Sequence, residues 1–171
     1  MNDNKSCEYT RALSEHSDEK SQINDDSEMY YRHFTDKDID DIVPGDAFVG
    51  LSKQMFRDSY SGQNCIGYTI VYGDEIAAVL VFIFTRPNVV DLVSIVSNIA
   101  KESPIEFHKT VLAILDLTIG FYKINRLQAL VDVRFLKAKK WALQLGFDEE
   151  GIMRMLGPNG EDYFLMARIK R

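Results

Sequence analysis

The chain has 171 residues, 46% of them hydrophobic, which is the size and balance of one globular domain with a core large enough to fold without staples. Its net charge of −6 lacks the basic surplus of a general nucleic-acid binder. Its longest apolar run, residues 76–84, is too short and too rich in β-branched and aromatic residues for a membrane helix, so no membrane association is expected.

The charge is uneven. Residues 1–29 carry eight acids against three bases, a net of −5, and the remainder carries −1. This opening stretch is rich in Ser, Asp and Glu and poor in large apolar groups, so it reads as a disordered acidic tail before a domain at residues 30–171. Tyr9 and Leu13, four apart, make a small apolar edge that a protein partner could capture. Cys7 and Cys65 form no CxxC pair and have no close histidine; neither a disulfide framework nor a metal site is expected, and a reducing compartment fits. No basic, apolar leader opens the sequence, which points to a cytoplasmic protein.

The expected elements then follow in order. A short strand covers residues 29–34, and Thr35 caps a helix over 36–42 with Asp38 in its first turn. Phe48, Leu51, Met55 and Phe56 recur at helical spacing within 47–60, before a Ser61-Gly62-Gln63-Asn64 break. Strands at 65–72 and 75–85 flank the Gly73-Asp74 turn, and a Val/Ile-rich strand spans 89–97. A long helix runs from Pro104 to Tyr122. Ser103 is its expected N-cap, and Glu106 completes an S-x-x-E capping box. His108 lies on its apolar stripe and reads as a packing residue. A strand at 126–133, a helix at 135–145 stopped by Leu145-Gly146-Phe147, and strands at 151–156 and 162–169 complete the chain. Asp132 and Arg134 read as a surface pair. Lys137, Lys139 and Lys140 read as a solvated helix face.

The run Leu130-Val131-Asp132, then Ala138, then Leu145-Gly146-Phe147-Asp148-Glu149-Glu150-Gly151, with the later Gly157-Pro158-Asn159-Gly160 hairpin, resembles the ending of the GNAT family of acyl-CoA-dependent N-acetyltransferases. The resemblance implies an α+β, GNAT-like fold, a central mostly antiparallel mixed sheet with helices on both faces. It also implies that acetyl-CoA, if used, would bind where the 89–97 strand enters the long helix, at Ser97, Asn98, Ile99, Lys101 and Ser103. In the family that turn has the form Q/R-x-x-G-x-G/A. Its glycines let the backbone approach the CoA diphosphate, which sits on the helix N-terminus. Residues 98–107 contain no glycine, and Glu106 adds a carboxylate there. At the family's helix positions for an Asn and a Tyr acid, counted from Ala138, stand Phe135 and Ala142. Were the protein an enzyme, Asp91 and Tyr163 would be its candidate catalytic groups. The segment Lys101-Glu102-Ser103-Pro104-Ile105-Glu106-Phe107 and the aromatic helix after it are similar to degenerate GNAT-like internal and accessory proteins of tailed phages. That similarity implies a binding or structural role, in a virion or host cytoplasm, with no cofactor. The alternatives are an active N-acetyltransferase using acetyl-CoA, or an inhibitor of a host protein acting through residues 1–29.

Overall fold

A computed structural model of the chain describes residues 21–22, 28–45 and 52–170. The strands among them are β1 (Ser21–Gln22), β2 (Met29–His33), β3 (Cys65–Tyr72), β4 (Glu75–Arg86), β5 (Val89–Val96), β6 (Arg126–Asp132), β7 (Asp148–Met153) and β8 (Tyr163–Ile169). The helices are α1 (Lys37–Asp41), α2 (Lys53–Tyr60), α3 (Pro104–Phe121) and α4 (Leu136–Gln144), with a short 3₁₀ turn at Asn98–Lys101. Together the strands form one sheet in the order β1-β2-β3-β4-β5-β6-β8-β7. Every neighbouring pair is antiparallel except β5 and β6, which are parallel and joined through α3. This is the mixed, mostly antiparallel sheet expected from the sequence.

Two cores flank it. On one face Phe107, Val111, Ile114 and Leu115 of α3 and Ala142 of α4 pack on Ile66, Tyr68, Leu80, Phe82 and Leu127. On the other, Ile39 of α1 with Phe56 and Tyr60 of α2 cover Val79, Val81, Ile83 and Ile95. The alternation of buried residues along β4 and β5 is thus read from both sides, as a central strand requires. No helix among the described residues is long and apolar enough to cross a membrane.

Local chemistry explains most boundaries. Ser52 caps α2 by accepting from Met55 N at 3.1 Å. Residues 46–51, the first part of the expected 47–60 helix, lie outside the described residues, as does most of the acidic tail. Gly146 takes φ 84° after α4, and Phe147 N–H returns to Ala142 O at 3.1 Å, the left-handed stop expected there. Strand β7 starts at Asp148 rather than at residue 151. Its acidic residues have poor strand propensity but suit an exposed sheet edge.

Three expectations are corrected. Thr35 does not cap α1 through its side chain. Instead Asp38, buried with 3% exposure, accepts from Thr35 N (2.8 Å), Thr69 Oγ1 (2.7 Å) and both Arg32 terminal nitrogens (2.8 and 2.6 Å). Asp132 is no surface residue. It is 8% exposed and held by Arg134 Nε and Nη2, because it closes the turn from β6 into α4. Cys65, fully buried at the start of β3, is disulfide-bonded. No disulfide is expected from the cysteine spacing because spacing carries no information on burial or proximity.

Candidate functional site

The parallel pairing of β5 with β6 lasts three rungs, Val89↔Arg126, Val90↔Leu127 and Asp91↔Gln128. The ladder of β5 with β4 nevertheless continues to Val96, and that of β6 with β8 to Asp132. The two strands therefore part beyond Asp91 and Gln128 and leave a V-shaped gap in the middle of the sheet. Its mouth lies at their C-terminal ends, where α3 and α4 begin. In open α/β arrangements this is where ligands enter.

The gap is edged by backbone. Alternate residues of a strand send their amides to opposite edges. Asn88 O accepts from Asn125 and Arg126, and Ser97 N–H donates to Ala77 O on the β4 side. Even-numbered residues of β5 therefore face the gap, among them Ser94, whose side chain is exposed. On β6, Val133 N–H donates toward β8, to Asp162 O at 3.1 Å, so Leu130 faces the gap. Its side chain is 48% exposed, unusual for a leucine in the middle of a sheet. Near the mouth, Gly45 N–H donates to Val96 O at 2.9 Å. A Cβ on Gly45 would stand 2.9 Å from Asn98 Oδ1, 3.0 Å from Asn98 N and 3.1 Å from Ser97 C, so a side chain there would push on the start of the 97–98 turn.

Ser97, Asn98, Ile99, Lys101 and Ser103, the residues expected around a cofactor, all lie in the loop from β5 to α3 at the mouth. Ser97 Oγ accepts from Ile99 N at 3.3 Å, and Ala100 and Glu102 N–H turn back to Ser97 O and Ile99 O. The loop thus spends these amides on itself. The expected capping box takes another form. Ser103 makes no side-chain bond to the backbone of α3; its hydroxyl donates to Glu106 Oε2 at 2.9 Å. The first amides of α3 remain uncapped by that side chain, yet a carboxylate sits in the first turn, where the helix dipole favours it.

Aromatic side chains tie the first turns of α3 to the middle of α4. Phe107 stacks on Trp141 at 5.5 Å between centroids and 18° between planes. Trp141 Nε1–H donates to His108 Nδ1 at 3.2 Å, so His108 is the packing residue expected. Phe135 and Ala142 offer no proton donor.

The two candidate catalytic residues do not converge. Asp91 stands at the closed end of the V, where Gln128 Nε2 donates to it at 2.6 Å. Gln128 in turn accepts from Arg126 Nε at 2.8 Å, and Arg126 pairs with Glu150. Tyr163 stands at the open end, on the Asp132 rung, four residues or roughly 13 Å further along β6. Burial and the nearby Asp132 and Glu161 carboxylates push its phenol upward, so it holds its proton. Asp132 itself is held below the usual carboxylate range by its hydrogen bonds from Arg134. Of these neighbours, Asp132 is brought beside Tyr163 by the β6–β8 register. Among the described residues no three His, Cys, Asp or Glu side chains group as a metal site.

No protein-family model and no curated protein matches this sequence. Solved structures do resemble it. A ribosomal-protein-S5-alanine acetyltransferase from Vibrio fischeri superposes with a TM-score of 0.64 at 15% identity, covering 89% of this chain and 97% of that one. A spermidine N-acetyltransferase chimera of SpeG from Vibrio cholerae and hSSAT gives 0.65 at 13% identity, covering 84% and 96%. A variant of the Vibrio cholerae SpeG enzyme gives 0.63 at 11%, covering 83% and 94%. At such identities the likeness is one of fold, and the fold is the GNAT-like α+β fold.

Proposed function

We propose that this is an acetyltransferase-like protein whose acetyl-CoA site is degenerate, and that it works as a binding or structural component. The observation that carries the reading is the Ser103–Glu106 contact at the mouth of the V. A diphosphate needs free amides and no competing anion. Here the preceding loop contains no glycine, bonds its own amides, and places the Glu106 carboxylate in the first turn of α3. A like charge about 5 Å away costs on the order of 1–3 kcal/mol at a partly solvated site. A role in a phage virion or infected host rests on the sequence resemblance alone.

One observation favours a second reading, an active N-acetyltransferase. The gap between β5 and β6 is present, and the enzymes that superpose on this chain share the fold. Acetyl-CoA would then lie along Ser97, Asn98, Ile99, Lys101 and Ser103, and Tyr163 would be the proton donor nearest the mouth. Inhibition of a host protein through the acidic tail concerns residues mostly outside the described ones. Calorimetry with acetyl-CoA separates the first two readings: micromolar affinity, about −8 kcal/mol, establishes the enzyme-like site, and silence at about millimolar ligand supports the degenerate one.

A further inference from the structure

We infer that a disulfide between Cys7 and Cys65 ties the acidic opening segment to the core beneath α1 and α2, and that reduction of this bond releases it. Neither the gap between β5 and β6 nor its mouth is involved. Cys65 is fully buried and disulfide-bonded. The chain holds two cysteines, and the other is Cys7. Cys7 lies outside the described residues; the count and the reach of the chain name it.

The reach follows from the sheet. β1 pairs Ser21 with Tyr31, and Tyr31 pairs with Ile70 of β3. Ser21 therefore stands two strands across and five residues along from Cys65, roughly 20 Å away. The fourteen residues from Cys7 to Ser21 span about 46 Å when extended, so the bond closes without strain on β1. One end of residues 8–20 is then held by the β1–β2 ladder and the other by a covalent bond.

The surroundings of Cys65 decide how the bond opens. Its side chain sits in the core that holds Phe34, Phe56, Tyr60 and Ile83. A sulfur there is shielded from attack, and apolar burial disfavours its thiolate, which makes it a poor leaving group. A dithiol reductant therefore enters at the Cys7 sulfur. The S–S bond breaks, the two thiols of the reductant close into a disulfide, and their protons pass to Cys7 and Cys65. The segment then keeps only its β1 anchor.

The test uses the full chain, oxidised with glutathione disulfide and then treated or not with dithiothreitol. Alkylation in denaturant followed by peptide mapping should show residues 7 and 65 in one cross-linked pair that dithiothreitol removes. Trypsin reads the release at Arg11 and Lys20. Cleavage there should speed up about tenfold or more on reduction, as an anchored segment opens less often than a free one. Cys7→Ser leaves the buried Cys65 in place and should be cleaved at the fast rate with or without dithiothreitol. Free thiols, a glutathione adduct or a link between two copies in the oxidised sample overturns the inference. Equal cleavage of the oxidised and reduced protein does so too.

Discussion

Phe107 and Trp141 lie stacked, centroids 5.5 Å apart, and the same indole donates to His108 Nδ1. One side chain of α4 thus holds two consecutive residues in the first turns of α3, beside the gap where β5 and β6 part. Trp141→Phe keeps an aromatic ring for the stack and leaves His108 without its donor. A loss of about 1–2 kcal/mol is expected in urea unfolding. Trp141→Ala removes stack and bond together, and about 3–5 kcal/mol should go. Equal effects of the two substitutions would mean that the hydrogen bond, and not the stack, holds the helices.

Asp38 anchors the start of α1 to β2 and β3 through Arg32, Thr35 and Thr69. Removing one partner strands a buried charge. Arg32→Met should therefore cost about 3–5 kcal/mol, measured by chemical denaturation. A cost below 1 kcal/mol would show that Asp38 is protonated or solvated in the folded protein.

Two groups, the half-buried His33 and the buried Asp38, make stability fall in acid. Burial pushes the His33 imidazole below its ordinary value of about 6.5, so the folded state resists protonation. Its contribution is complete above pH ~6.5 and is lost progressively as the pH drops below that value. Burial raises Asp38, but the bonds from Arg32, Thr69 and Thr35 outweigh it and hold the carboxyl below its ordinary range. Its contribution is present above pH ~3.9 and is lost as the pH falls further, through the folded-state value. Thermal midpoints from pH 8 to pH 3 should decline in two stages. His33→Phe should flatten the first stage and leave the second.

Gly67 in β3 has no room for a side chain. A Cβ there would stand 2.7 Å from Phe34 Cβ and 2.8 Å from its ring, while Phe34 N–H donates to Gly67 O at 3.0 Å. Gly67→Ala should cost about 1–3 kcal/mol through overpacking of a buried ring. Gly62→Ala, with open space around it but φ 71°, should cost less, about 1 kcal/mol. Reversal of that order would mean that backbone strain outweighs the clash.

Much of the fold was legible because local chemistry and global pattern agreed. Leu145-Gly146-Phe147 announced the end of α4, Gly73-Asp74 announced the β3–β4 turn, and the apolar stripe of α3 announced its burial. The site was less legible. Spacing placed Glu106 three residues after Ser103, but it could not say that the hydroxyl would donate to the carboxylate instead of capping the helix. The parting of β5 from β6 depends on where a ladder stops, which strand composition does not encode. Gly45 against Asn98, Asp132 against Tyr163, and Trp141 against His108 join residues far apart in sequence, and no single-segment pattern signals them. Asp91 and Tyr163 are the candidate catalytic residues, and only the register shows that they sit at opposite ends of the gap.

The account turns on whether a diphosphate has anywhere to sit at the start of α3. Isothermal titration of the full chain with acetyl-CoA measures this directly. No saturable heat up to about millimolar ligand is the expected result. A dissociation constant near micromolar, abolished by Lys101→Glu, would contradict it.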